Sequence, residues 1–219
     1  MTRRSFLPAA GLDGVWTARG GKLNAFAVRL RDGGLCLYSP VAGLEAAARD
    51  GFADLGGVSA LLAPNHYHNK GLAGHASAFP DAVPTCSAKA APRLAKITGL
   101  AFDPVDALAS RLAERQRLLQ PAGLKTGEVW IEIETPSQVA WIVADAFTAP
   151  LHAPGVYAEA PAMLGAFPRL GVEDASAFKD WTSAELSRAR PTALLSCHGS
   201  PVTAADLNER LARLLAKAF

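Results

Sequence analysis

Polar and apolar positions alternate with the short period of a strand in LNAFAVRL, from Leu23, and again in LCLYSP, from Leu35. Between them lies Asp32-Gly33-Gly34, a strong hairpin turn, and Pro40 stops the second strand. GLEAAARDGFADLG, from Gly43, is alanine-rich and predicts a helix that closes on glycines. VSALLAP, from Val58, is almost wholly apolar and fits a strand buried on both faces. Beyond it, LAGHASAFP predicts a short helix, VPTCS a strand, KAAPRLAKI a helix, and DALASRLAERQRLL, from Asp106, a longer helix. EVWIEIE, from Glu128, alternates as a strand; QVAWIVAD and PTALLSCHG are apolar strands ending on Asp145 and His198. The stretch from Pro150 to Trp181 reads as loop, with Phe167 and Trp181 as apolar rim or subunit-contact residues. In the closing helix Thr203 is placed to cap the first turn, and Leu207, Leu211, Leu214 and Leu215 share one face. Strands followed by mixed strands and helices in both halves predict one α/β domain over residues 1–219, sheets inside and helices outside.

Half of the 219 residues are hydrophobic, enough for a large core, and the net charge of +2 argues against a dedicated nucleic-acid surface. Cys36, Cys86 and Cys197 are widely spaced and contain no CxxC, so they read as buried reduced thiols. Arg3 and Arg4 open a stretch like a twin-arginine signal, but Asp13 and two glycines interrupt the apolar segment such a signal needs. No apolar run reaches the length of a membrane span, and the expectation is a cytoplasmic protein acting on a small molecule, with no nucleic-acid or membrane partner and homo-oligomerisation left open.

Chemistry concentrates where apolar strands end. LLAPNHYHNKGLAGH, from Leu61, carries His66, His68 and His75; the other strand ends carry Asp145 and His198. An H-x-H pair brings two imidazoles toward one point, and imidazole with carboxylate suits zinc, iron or manganese. His75 and His152 read instead as a core or surface histidine and a loop residue. Glu132 and Glu134 point to the same face of their strand, and one reading of the pair is that both face solvent on an edge strand.

These segments together resemble the metallo-β-lactamase superfamily, and within it a branch of β-lactamase-like proteins with an incomplete metal site. The resemblance runs from about Leu23 to Leu215. NAFAVRLRDGGLCLYSP is similar to the opening hairpin, with Ser39 where an aspartate is usual. LLAPNHYHNKGLAGH resembles the H-x-H-x-D-H loop: His66 and His68 match, while Lys70 and Gly71 stand in place of aspartate and histidine. ETPSQVAWIVAD is similar to the region of the third histidine and the bridging aspartate, with Glu134 aligned to the histidine and Asp145 to the aspartate. SCHGSPVTAADL matches the last histidine at His198. The resemblance implies an αββα four-layer sandwich and at most one divalent metal, or none, with His66, His68, Glu134, Asp145 and His198 as candidate ligands. It implies a hydrolase of an ester, amide, lactone or phosphoester in which Asp145 and His198 are catalytic. The alternative is a non-catalytic relic that binds a small molecule or a partner. A di-iron redox centre, as in some relatives, would need two complete sites.

Overall fold

The computed structural model describes residues 5–9 and 11–219; the arginine pair at Arg3 and Arg4 lies outside them. The chain forms two compact units, Met1–Glu114 and Arg115–Phe219.

The first unit is built on a seven-stranded sheet in sequence order. Strands β1 (Leu7–Pro8), β2 (Val15–Gly20), β3 (Leu23–Arg29) and β4 (Leu35–Tyr38) form an antiparallel meander. The predicted turn joins β3 to β4, and the Asp32 carboxylate accepts the Gly34 N–H at 3.0 Å, an Asx-type closure. Helix α1 (Glu45–Phe52) then crosses to β5 (Val58–Leu62), which pairs in parallel with β4. Helix α2 (Leu72–Ala78), β6 (Val83–Cys86), α3 (Ala91–Thr98), β7 (Asp103–Pro104) and α4 (Val105–Ala109) complete the unit. Strand β5 lies between β4 and β6, so both its edges are paired, as its apolar run requires. Its core packs Leu35, Leu37 and Leu61 of the sheet against Phe52, Leu72 and Leu94 of the helices.

The second unit holds a five-stranded sheet. Its members are β8 (Gln116–Leu119), β9 (Trp130–Glu134), β10 (Val139–Val143), β13 (Ala193–Ser196) and β14 (Val202–Thr203), in the order β14-β13-β10-β9-β8. Only β10 and β13 run parallel. A two-stranded ribbon of β11 (Phe147–Thr148) and β12 (Ala162–Met163) and helices α5 (Phe167–Leu170), α6 (Ala175–Ala189) and α7 (Leu207–Ala218) accompany it. Trp130, Trp141, Phe147, Phe178, Leu211 and Leu215 form its centre.

Four expectations change. The helix from Asp106 ends at Ala109, and Gln116–Leu119 is instead strand β8, because the open edge of β9 supplies a ladder that outweighs helix propensity. Within the expected loop, α6 runs for 15 residues, capped by the Asp174 carboxylate on the Ala177 N–H at 2.9 Å. Phe167 is buried and Trp181 packs against the same core, so neither forms a rim. The last helix starts at Leu207, after Asp206; Thr203 belongs to β14. All three cysteines are buried free thiols, and burial pushes Cys36 up to about 12 and Cys86 up to about 11, so neither is a nucleophile at neutral pH. Among the described residues, no helix is long and apolar enough to cross a membrane.

Candidate metal centre

In the first unit, the segment after β5 is fastened by its own asparagines. The buried Asn65 side chain accepts the Tyr67 N–H at 2.8 Å and the His68 N–H at 3.3 Å. Asn69 donates to the carbonyls of His66 at 2.9 Å and Tyr67 at 3.3 Å. These bonds hold the H-x-H backbone in a tight turn. His68 is 9% exposed, and its Nδ1 lies 2.8 Å from the Ser39 hydroxyl. Metal-ligating histidines are oriented in this way, through the nitrogen that does not ligate. Ser39 itself has φ 55°, a left-handed conformation that costs a non-glycine residue roughly 1 kcal/mol or more. Such strain persists where the surroundings require it, and here it carries the hydroxyl to His68.

Gly71 shows why the loop departs from the H-x-H-x-D-H pattern. A Cβ at this position would lie 2.2 Å from the Pro40 carbonyl oxygen. The chain presses backbone against backbone there, leaving no space for a histidine. Lys70 is exposed.

His75 sits apart from this chemistry, fully buried in α2. Its Nδ1 lies 2.9 Å from the Gly71 carbonyl, and its buried Nε2 has no hydrogen-bond partner. Burial lowers its pKa from 6.5, against the opposing pull of the Gly71 carbonyl and Glu45. The unfolded chain therefore binds a proton at His75 that the folded chain refuses. Stability is full above pH 6.5 and declines as the pH falls from there toward the lowered value, by up to about 1.4 kcal/mol per pH unit. Urea unfolding at pH 7 and pH 5 should show a smaller decline in His75→Asn than in the parent. Equal declines would remove His75 as the cause.

In the second unit, β10 and β13 run side by side and deliver Asp145 and His198 to the same end of the sheet. His198 Nε2 lies 2.9 Å from Asp145 Oδ1. The carboxylate side chain is 15% exposed and the imidazole 27%, so the pair is shielded but reachable. Gly199, at φ +96°, lets the chain turn directly behind His198; a Cβ there would meet the Ala149 carbonyl at 2.0 Å. The turn is pinned by Thr148, whose hydroxyl donates to the His198 carbonyl at 2.6 Å, and by the Ser200 N–H on the Pro150 carbonyl at 3.1 Å. The Ser200 hydroxyl accepts the His152 N–H at 2.9 Å, and His152 is an exposed loop residue, as expected. A cleft of about 540 Å³ opens here, lined by Pro150, His152, Val156, Tyr157, Glu159 and Ala160.

The buried carboxyl that supports Asp145 is Glu128, which the sequence reading did not single out. One oxygen, Oε1, accepts the Trp130 indole N–H at 2.7 Å and the backbone N–H groups of Asp145 at 3.1 Å and Ala146 at 3.2 Å. Burial foremost, and then the Asp145 carboxylate, push Glu128 up to about 7.

Glu134 is not brought to this pair. Strands β9 and β10 are antiparallel, with Glu134 opposite Val139, so Glu134 stands at the far end of the ladder from Asp145, roughly 20 Å away at about 3.3 Å per residue. It is exposed, 3.9 Å from Arg115. Glu132, on the same face, is buried rather than solvent-facing, and β9 is not an edge strand. Its carboxylate takes the Trp141 indole N–H at 3.0 Å and an Arg188 N–H at 2.5 Å. Both glutamates thus serve the sheet and its flank.

No family model and no curated protein matches the chain. Solved structures do. A metallo-β-lactamase from Pontibacter korlensis shares 12% identity over 98% of this chain and 99% of its own, at a TM-score of 0.64. One from Erythrobacter litoralis, with β-mercaptoethanol in its active site, shares 15% over 99% and 98%, at 0.66. The mono-zinc form of FIM-1 from Pseudomonas aeruginosa shares 15% over 98% and 96%, at 0.63. The α/β chain, with its two large sheets and flanking helices, has the metallo-β-lactamase fold.

Proposed function

We propose that this metallo-β-lactamase-fold chain is a hydrolase using one divalent metal, with His66, His68 and Asp145 as ligands and His198 as the proton-handling partner of Asp145. The observation that carries the reading is the Asp145–His198 contact of 2.9 Å at the end of two parallel strands. The donor chemistry fits a metal: the H-x-H turn of the first unit supplies two imidazoles, with His68 already oriented through Nδ1, and the second unit supplies the Asp145 carboxylate. When bound, such an ion supplies Lewis acidity and lowers the pKa of water. Asp145 offers two carboxylate oxygens, of which Oδ1 engages His198. His198 then holds a proton beside the site and delivers it to the leaving group, as a general acid does. Zinc, iron and manganese all accept this mixed set. Gly71, with no room for a side chain, supports one metal rather than two. The substrate is a small ester, amide, lactone or phosphoester.

Elemental analysis of protein purified without added metal is the test. About one equivalent per chain is expected, falling at least tenfold in His68→Ala and in Asp145→Asn. Less than a tenth of an equivalent in the parent, with no uptake of zinc, iron or manganese, would overturn the proposal. A non-catalytic ligand-binding role is the second reading. Lys70 and Gly71, at positions where the resemblance expects ligands, favour it. A metal-dependent hydrolysis abolished by His68→Ala would eliminate it.

A further inference from the structure

Tyr67, the residue between the two histidines, is 40% exposed although its backbone is held by Asn65 and Asn69. Its ring stands edge-on to His66, with centroids 4.4 Å apart. The guanidinium of Arg93, from α3, sits over the same ring at 5.1 Å from its centroid. A cation–π contact uses no N–H donor, so the guanidinium fork stays available. Among the described residues, neither the Arg93 nor the Lys70 side chain has a hydrogen bond or ion pair with a protein group. Along the sequence, residues 55–102 carry Lys70, Lys89, Arg93 and Lys96 against Asp81, with Asp54 and Asp103 at the borders of the stretch and Glu45 reaching His75 of α2. The whole chain, by contrast, is close to balanced at +2.

We infer that Tyr67 and Arg93 form an oxyanion-binding platform beside the H-x-H turn, which selects substrates bearing a carboxylate or phosphate group. The substrate assignment rests on the hydrolase reading above; the anion site does not. The Tyr67 ring restrains the guanidinium beside the turn, so less rotamer freedom is lost when its fork meets two oxygens of the anion. Lys70, on the same turn, adds an unpaired positive charge. Bound there, an acidic group would anchor the substrate away from its scissile bond, and the anchor would favour anionic over neutral esters.

The test titrates the full chain with succinate and, separately, with inorganic phosphate, following the backbone amide signals of Tyr67 and Lys70 by NMR. Saturable shifts are expected with at least one anion, with affinity at least tenfold weaker in Arg93→Met and reduced to a lesser degree in Tyr67→Ala. Saturation by succinate alone assigns carboxylates, by phosphate alone phosphoesters, and by both a general oxyanion site. No saturation with either anion, or equal affinity in Arg93→Met, would overturn the platform. A second arm measures kcat/KM for an aryl succinate monoester relative to the matching neutral aryl butyrate. The ratio should fall about tenfold in Arg93→Met; an unchanged ratio defeats the substrate assignment. If the metal-loaded parent hydrolyses neither ester, the hydrolase reading loses support and the anion titration alone decides the platform.

Discussion

Glu128→Ala should destabilise the chain by about 4 kcal/mol in urea unfolding, whereas Glu128→Gln should cost less than about 1.5 kcal/mol. The difference follows from a single atom. Oε1 of Glu128 accepts the Trp130 indole N–H and two consecutive backbone N–H groups, those of Asp145 and Ala146. Glu128 is 2% exposed, so water does not replace a lost acceptor there. A buried donor left unmatched costs about 1–3 kcal/mol, and three donors sharing one acceptor lose it together, so their costs do not simply add. Alanine removes the acceptor and also leaves a cavity beside Trp130. Glutamine keeps a carbonyl oxygen in the same place. Because the backbone of Asp145 hangs on that oxygen, the alanine variant should also lose metal uptake, and the glutamine variant should retain most of it. Equal destabilisation by both substitutions would show that the charge, rather than the acceptor, holds the site.

Glu128 also marks where sequence reading succeeds and where it stops. Each strand predicted from alternation or from an apolar run is present, because those patterns are local consequences of burial on one face or two. The ends of β10 and β13 were readable for the same reason: an apolar run that stops at Asp145 or His198 must surface there. Position-by-position alignment along the resemblance puts Glu134 at the wrong end of its strand. The residues themselves contained the correction. Pro136 and Ser137 leave room only for a tight turn, so β9 and β10 must be antiparallel, and the residue beside Asp145 must come from the start of β9. The helix α6 also left a local trace, in Asp174 at the cap and Phe178, Thr182 and Leu186 at four-residue spacing. Other features had no local trace. Nothing near residue 116 announces that β9 has an open edge to fill. Ser39 and His68 meet across 29 positions, and their pairing depends on a left-handed backbone that no hydrophobic pattern encodes.

Gly71→Ala should cost about 3 kcal/mol and should also lower metal uptake, although a helix-favouring alanine is ordinarily benign at the start of a helix. Conformation is not the obstacle, since φ at Gly71 is −92°. Space is: the added Cβ would lie 2.2 Å from the Pro40 oxygen, 2.6 Å from its carbonyl carbon and 2.7 Å from the Ala42 nitrogen. All three are main-chain atoms, so no rotamer change relieves the contact, and residues 40–42 must move as a piece. Ser39 is bonded directly to that piece and holds His68 Nδ1. The strain therefore reaches the H-x-H turn without any change to a ligand. Gly74→Ala is the control, because its Cβ would meet only the carboxylate end of Glu45, at 2.7 Å, which can swing away. That variant should be neutral or more stable by about 0.5–1 kcal/mol, the usual gain on replacing a helical glycine. The same geometry predicts the fate of a reconstructed second metal site. Lys70→Asp with Gly71→His restores the side chains the resemblance expects, yet it should yield a less stable protein that still takes up no more than one equivalent of zinc. A Gly71→Ala variant as stable as the parent, or a reconstructed variant holding two equivalents, would show that the backbone at residues 40–42 yields, and that the loss of the second site has another cause.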